Sequence, residues 1–350
     1  MVMNSLLPCV MPWKSLFMEE KSGKVVGLPC CLSWVKADYG EVQSSGLIGL
    51  WNSEGSQRIR YLIANGHQEE VCSKICPNLI NGAYSESQIR VVDGPPEFVA
   101  NQVLNNEEIR LRKSFLQSKP MLLKVIPTLE CNLRCKMCFQ KSYQPCDFGP
   151  YLWEEIKQLY SCLHEITFQG GEVTGLAEFR EFLLSKDLEK HPNINVSLIT
   201  NGTILDNDFF DSIRRIHLHQ ITVSLNAATE STYHKITRTY LFNDVIKNIQ
   251  RLKEISETHP IKSFTLFLSF VVMKSNFHEL PKFLEIAEHF DSPVQLVPVM
   301  GDQGDENVFL ESNLHYRLRN VLRKSLKRFP GPTAFQIRYI ENILSPKISL

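Results

Sequence analysis

The chain has no long apolar run. Crossing a bilayer takes about 20 consecutive apolar residues; the longest stretch here, Phe264 to Met273, is strand-like and carries Thr265 and Ser269. Neither sign of charge is in excess, with 38 Lys and Arg against 38 Asp and Glu. Nucleic acid or an acidic membrane as main partner needs a basic surface, so neither is expected. The opening MVMNSLLPCVMPWK has no basic region ahead of its apolar residues, and Pro8 and Pro12 interrupt it. It does not read as a secretion signal. His164, His234 and His278 show no metal-ligand spacing with the cysteines, and there is no low-complexity tract or short repeat. These absences lead to the expectation of a cytoplasmic, reduced protein.

Cysteine is what the chain has in quantity: ten, at positions 9, 30, 31, 72, 76, 131, 135, 138, 146 and 162. In a reducing compartment clustered cysteines bind metal or act in catalysis, whereas disulfides belong to oxidising ones. The most informative group is Cys131-Asn-Leu-Arg-Cys135-Lys-Met-Cys138, directly after the apolar run Met121 to Pro127. Three thiolates on one short loop can hold three irons of a 4Fe–4S cube and leave the fourth iron without a protein ligand. An iron with an open position can bind a small molecule and do chemistry on it. The alternative is a zinc knuckle, which needs four nitrogen or sulfur ligands, with Cys146 as the available fourth. Cys9, Cys30, Cys31, Cys72 and Cys76 form a second group, and ligand type alone does not separate zinc from iron–sulfur there. Cys162 reads as a helix-face core thiol and Cys146 as a loop thiol.

A chain of 350 residues suits one large α/β domain and a small one. Pro95-Pro96 lies in the cysteine-free gap between the two groups. The expected division is a cysteine-rich module over 1–95, a helix-prone connector over 96–118 and a core domain over 119–350. In the core, strands are expected at 121–127, 165–169, 195–200, 220–225, 264–273 and 293–298. Between them Leu152, Ile156, Leu159 and Leu163, then Val245, Ile249, Leu252 and Ile255, then Leu280, Phe283, Leu284 and Ala287 recur at helical spacing. Strand–helix alternation means a parallel sheet with helices outside it. Six βα units fall short of the eight of a closed barrel, so a partial barrel is expected. Ligands in such folds bind at the carboxyl ends of the strands. Those ends carry the cysteine loop, Gly170-Gly171-Glu172, Thr200-Asn201-Gly202, Ser224-Leu225-Asn226 and Lys274-Ser275-Asn276.

With those residues assembled, the region from about 119 to 330 resembles the radical S-adenosylmethionine (SAM) superfamily. The match rests on the CxxxCxxC loop and the GGE, supported by LITNG and FVVMKSNFHELPKFLEIA. The resemblance implies an α/β fold built as a partial (βα)6 barrel, and a 4Fe–4S cluster on Cys131, Cys135 and Cys138. It implies that SAM chelates the open iron. Reductive cleavage then yields a 5′-deoxyadenosyl radical that abstracts hydrogen from an unactivated C–H, with a reduced flavodoxin or ferredoxin as electron donor. Gly170, Gly171 and Glu172 match the segment whose backbone and carboxylate receive the methionine ammonium. Thr200 and Asn201, at the same rim, are expected to contact the cofactor, although Asn201-Gly202 is also a turn signal. Ser224, Asn226 and Arg238 match positions that hold the carboxylate and ribose. Asn276 matches either an adenosine contact or a cap of the helix starting near 279. Met137 stands where the superfamily often has an aromatic, so adenine is expected to lean on Met137 or Phe139.

The N-terminal region resembles a SPASM-type module through Cys9-Val-Met-Pro-Trp13, Pro29-Cys30-Cys31, Trp51-Asn52-Ser53, Ile59-Arg60 and Cys72-Ser-Lys-Ile-Cys76-Pro77. Such modules usually follow the barrel; this one precedes it and offers fewer cysteines. The resemblance implies an auxiliary 4Fe–4S cluster on Cys9, Cys30, Cys72 and Cys76, with Cys31 as the alternate for Cys30. Relatives with such modules often modify peptides, so a peptide or protein substrate is expected first, and a sugar or other small molecule second.

Overall fold

The computed structural model describes residues 9–21, 24–31, 34–73, 76, 89–138, 149–261, 263–299, 301 and 305–344. The chain divides into two compact units, one of Met1–Leu129, Ser142–Gly170 and Ser185–Val196, the other of Glu130–Lys141, Gly171–Leu184 and Ser197–Leu350.

In the first unit, β1 (Ser15–Lys21) pairs antiparallel with β2 (Lys24–Leu28), which pairs antiparallel with β3 (Gly40–Glu41). On its other side β1 runs parallel to β4 (Leu122–Val125), and β4 runs parallel to β5 (Glu165–Phe168). The strand order is therefore β3-β2-β1-β4-β5. The boundary expected near residue 95 falls inside this unit, and segments on either side of it share one set of strands. The segment 96–118 is a helix over Pro96–Arg110 followed by non-helical backbone. It is tied down along its length. Trp13 Nε1 donates to Lys113 O at 2.7 Å, Trp51 Nε1 to Ser118 O at 2.6 Å, and Asn52 Nδ2 to Leu116 O at 2.7 Å. Arg60 is fully buried, donates to Pro12 O and Trp51 O, and stacks over the Trp51 ring at 4.5 Å. The tryptophans and arginine of the N-terminal pattern thus act as structural pins. Cys162, expected on a helix face, sits half-buried in the turn after the helix Gly149–Leu159.

The order continues β6-β7-β8-β9, with β6 at Asn195–Thr200, of which Ser197–Thr200 belong to the second unit, and, in that unit, β7 at Leu218–Ser224, β8 at Thr265–Val272 and β9 at Val294–Pro298. β7 and β8 are parallel, as are β8 and β9. Each strand is followed by a helix, and after β6 and β7 a side-chain cap opens it. Asp206 accepts from Phe209 N to open Asn207–Ile213, and Thr229 accepts from Thr232 N to open Glu230–Thr237. Val245, Ile249, Leu252 and Ile255 line the buried face of Phe242–Thr258. Leu280, Phe283, Leu284 and Ala287 do the same on Leu280–His289. All six strands expected from residue 119 onward are present, in an α/β succession.

Candidate active site

The cysteine loop, the Gly171-Glu172 turn and the ends of β6, β7 and β8 belong to the second unit. The loop folds on itself through Cys138 N donating to Cys135 O at 3.1 Å. It is held by Lys136 N donating to Ile236 O at 3.0 Å, and the GGE turn is joined to it by Glu172 N donating to Glu130 O at 2.7 Å. Cys131, Cys135 and Cys138 are all half-buried and none forms a disulfide. Burial, followed by the charges of Cys131 and Cys138, pushes the Cys135 thiol up to about 12. Burial also raises Cys131, with the N–H groups of Leu133 and Asn201 opposing and the charges of Glu172 and Cys138 adding to it.

Cys131 and Cys135, raised by burial and by neighbouring thiolates, are poor thiolates by themselves and good ones around cationic iron. Among the described residues, no three cysteine sulfurs all lie within 4.8 Å of one another. A tetrahedral zinc with Zn–S near 2.3 Å would draw its sulfurs to about 3.8 Å apart. Three thiols on one loop match three corners of a 4Fe–4S cluster, so the residues present fit such a cluster with one corner open.

Around the loop the side chains are heavily committed. Glu172 is buried, and its carboxylate accepts from Thr174 N (3.2 Å), Thr174 Oγ1 (2.6 Å), Thr200 Oγ1 (2.7 Å) and Asn201 N (2.6 Å). Burial pushes this carboxyl up, and those donors pull it back. With four donors satisfied, the carboxylate serves to pin the end of β6 to the turn after β5. Thr200 likewise spends its hydroxyl on Glu172 and accepts from Gly202 N at 3.0 Å. Gly170 has φ +152°, and a Cβ there would stand 2.2 Å from Thr128 O, so only glycine fits.

Asn226 takes a left-handed φ of +57°, and its Oδ1 accepts from Val271 N at 2.8 Å. Asn276 is fully buried; its Nδ2 donates to Asn226 O and Val271 O, and its Oδ1 accepts from Met273 N. It makes no side-chain cap. Its carboxamide joins the ends of β7 and β8 in place of the cap that was one of the two readings offered for it from sequence. Ser224 is half-buried at the end of β7, and Met137 is half-buried in the cysteine loop. Arg238 ends the helix Glu230–Thr237 with a left-handed φ of +64° and is exposed. Phe139 and Cys146 lie outside the described residues.

Three participants carried no signal in the sequence. Asn132 and Thr203 bracket Asn201 through side-chain hydrogen bonds. Tyr233 is buried, and its raised hydroxyl pKa comes from burial and then the charges of Cys135, Cys131 and Glu172.

In the first unit, Cys9, Cys72 and Cys76 are buried and Cys30 is half-buried. Burial, then the charges of Cys9, Cys72, Cys76 and, least, Cys31, pushes the Cys30 thiol up. Cys72 is pushed up to about 12 by burial, Cys9 and Cys76, with Lys36 opposing.

The radical SAM superfamily model matches residues 125–285. The GTP 3′,8-cyclase of Petrotoga mobilis is 29% identical over 187 residues, covering 51% of this chain and 55% of that one. The GTP 3′,8-cyclase of Synechocystis is 27% identical over 188 residues, covering 51% and 54%. This chain thus spans about half the length of these curated relatives. Among solved structures, Streptococcus suis SuiB bound to S-adenosylmethionine aligns with a TM-score of 0.50 at 15% identity, over 78% of this chain and 63% of that one. That likeness is one of fold.

Proposed function

Because residues 125–285 form a radical SAM domain, we propose that the chain is a radical SAM enzyme acting on a small molecule, with nucleotides as the first class to test. The observation that carries this reading is the gathering of Cys131, Cys135 and Cys138 on the loop bonded to the Gly171-Glu172 turn. When bound there, a 4Fe–4S cluster with S-adenosylmethionine supplies a carbon radical able to take hydrogen from an unactivated C–H. The protein's part is to hold three thiolates, leave one corner open and keep the surrounding rim rigid.

Ser224 and Arg238 are the side chains proposed to meet the carboxylate and ribose, a permanently charged guanidinium suiting a carboxylate. Backbone of Gly170 and Gly171 is proposed for the ammonium, since Glu172 is spent elsewhere. Cys9, Cys30, Cys72 and Cys76 are proposed to hold a second, fully ligated cluster that passes electrons, and a small reduced carrier such as flavodoxin or ferredoxin is proposed to feed the first. The curated relatives are named for a nucleotide substrate, which favours the small-molecule reading over the peptide expected first.

Anaerobic reconstitution with iron and sulfide, followed by dithionite and S-adenosylmethionine, should release 5′-deoxyadenosine. A fully loaded protein that releases none overturns the reading. Incubation with deuterated GTP and other deuterated nucleotides then asks whether label enters 5′-deoxyadenosine.

A further inference from the structure

Asn201, Asn132 and Thr203 close a ring of hydrogen bonds beside Cys131. Asn201 Nδ2 donates to Asn132 Oδ1 at 2.9 Å, Asn132 Nδ2 donates to Thr203 Oγ1 at 2.8 Å, and Thr203 Oγ1 donates to Asn201 Oδ1 at 2.5 Å. The orientation of the Asn201 amide is fixed independently. Thr203 N lies 2.9 Å from one of its two terminal atoms, and a backbone N–H can only donate, so that atom is the carbonyl oxygen. The NH2 group must then face the cysteine loop. One of its protons is taken by Asn132, and the nitrogen stands 3.7 Å from Cys131 Sγ. Leu133 N donates to the same sulfur at 3.4 Å. The backbone of Asn201 is itself clamped, by its N–H to Glu172 Oε2 at 2.6 Å. A rigidly aimed donor on one cysteine sulfur is more than a turn residue needs.

We propose that Asn201 is a positioning residue that tunes the iron–sulfur cluster by donating its second amide proton to the Cys131 sulfur. The inference rests on the reading that Cys131 ligates a 4Fe–4S cluster. A donor at a ligating sulfur withdraws electron density and makes the cluster easier to reduce. Cluster reduction is the step that precedes any cleavage, so the Asn201 donor would set how strong a reductant the enzyme requires.

The test is the midpoint potential of the cluster in the full chain, read by EPR during an anaerobic redox titration. The signal of the open-corner cluster is picked out by its change when S-adenosylmethionine is added, and iron per chain confirms loading. Asn201→Leu and the smaller Asn201→Ser both remove the donor from reach of the sulfur. Both should be reduced at a lower potential than the wild type. Asn132→Ala opens the ring but leaves Asn201 Oδ1 on Thr203 N and its N–H on the sulfur, so its potential should match the wild type. A wild-type potential in both Asn201 variants overturns the inference. So does an equal drop in Asn132→Ala, which would make the effect one of loop structure. A wild-type chain that shows no such cluster overturns the underlying reading, a result distinct from either of these.

Discussion

Gly170 holds its backbone at φ +152° with the Thr128 carbonyl 2.2 Å from where a Cβ would be. Any side chain there must move a backbone oxygen, which no rotamer change can relieve. Gly170→Ala is expected to lose about 3 kcal/mol or more of stability, combining backbone strain with the clash, as read by chemical denaturation. Lys14 is the opposite case, a charge that folding places badly. Burial lowers its pKa from 10.5 to about 8. Between those values the unfolded chain binds the proton more tightly than the folded one, so this group's contribution to stability rises with pH across that window. Below pH 8 its cost is present in full. Because the side chain keeps some contact with water, Lys14→Met is expected to gain only about 1 kcal/mol at pH 7. The gain should shrink as the pH climbs toward 10.5, measured as parallel denaturation curves.

Three buried glutamates in the second unit join consecutive elements at the carboxyl ends of the strands. Glu172, after β5, takes Thr200 and Asn201 at the end of β6. Glu279, after β8, takes Ala228 N at 2.7 Å, Thr232 Oγ1 at 2.7 Å and Thr229 Oγ1 at 2.5 Å, all beyond β7. Glu306, beyond β9, takes Ser275 N at 2.9 Å and Ser275 Oγ at 2.6 Å beyond β8, and lies 3.5 Å from Lys136 in the cysteine loop. Each carboxylate satisfies several donors at once, so its removal orphans them together. Glu279→Ala is expected to cost about 3 kcal/mol in urea denaturation and to fray the helix Glu230–Thr237, because Thr229 is both its cap and a partner of Glu279. The equivalent change at an exposed ion pair such as Lys190 and Asp187 should leave the denaturation curve unmoved.

At the scale of the whole molecule, two groups of thiols belong to two different units. If each holds a cube, the reconstituted chain should carry about eight irons, and about four if only one does. Cys135→Ala is expected to remove the share of the first site, stop cleavage and leave the other share in place. Cys30→Ala should remove the second share, because the charges of Cys9, Cys72 and Cys76 all bear on Cys30, and Cys31→Ala, the alternate, should spare it. Iron analysis on the three variants checks all of this, and simultaneous loss of both shares in any one of them would refute the division.

Local spacing determined a good deal. The CxxxCxxC loop, the six strands from residue 119 onward and the buried faces of Phe242–Thr258 and Leu280–His289 were legible because each depends on residues a few positions apart. The strands of the N-terminal region were not. In β1, SLFMEEK, Glu19 and Glu20 are buried beside Leu16 and Met18, and the Glu19 carboxylate meets Lys124 from a strand 105 positions on, so no local pattern announces a buried strand. The roles of the polar site residues were decided by tertiary structure alone. Glu172, Asn226 and Asn276 carry groups suited to binding a ligand, yet folding hands those groups to backbone and hydroxyl partners. Asn201, legible as a cofactor contact or a turn residue, is brought to a sulfur 70 positions away. A sequence fixes which donors and acceptors exist; which of them remain for a ligand depends on partners that only the folded chain assembles.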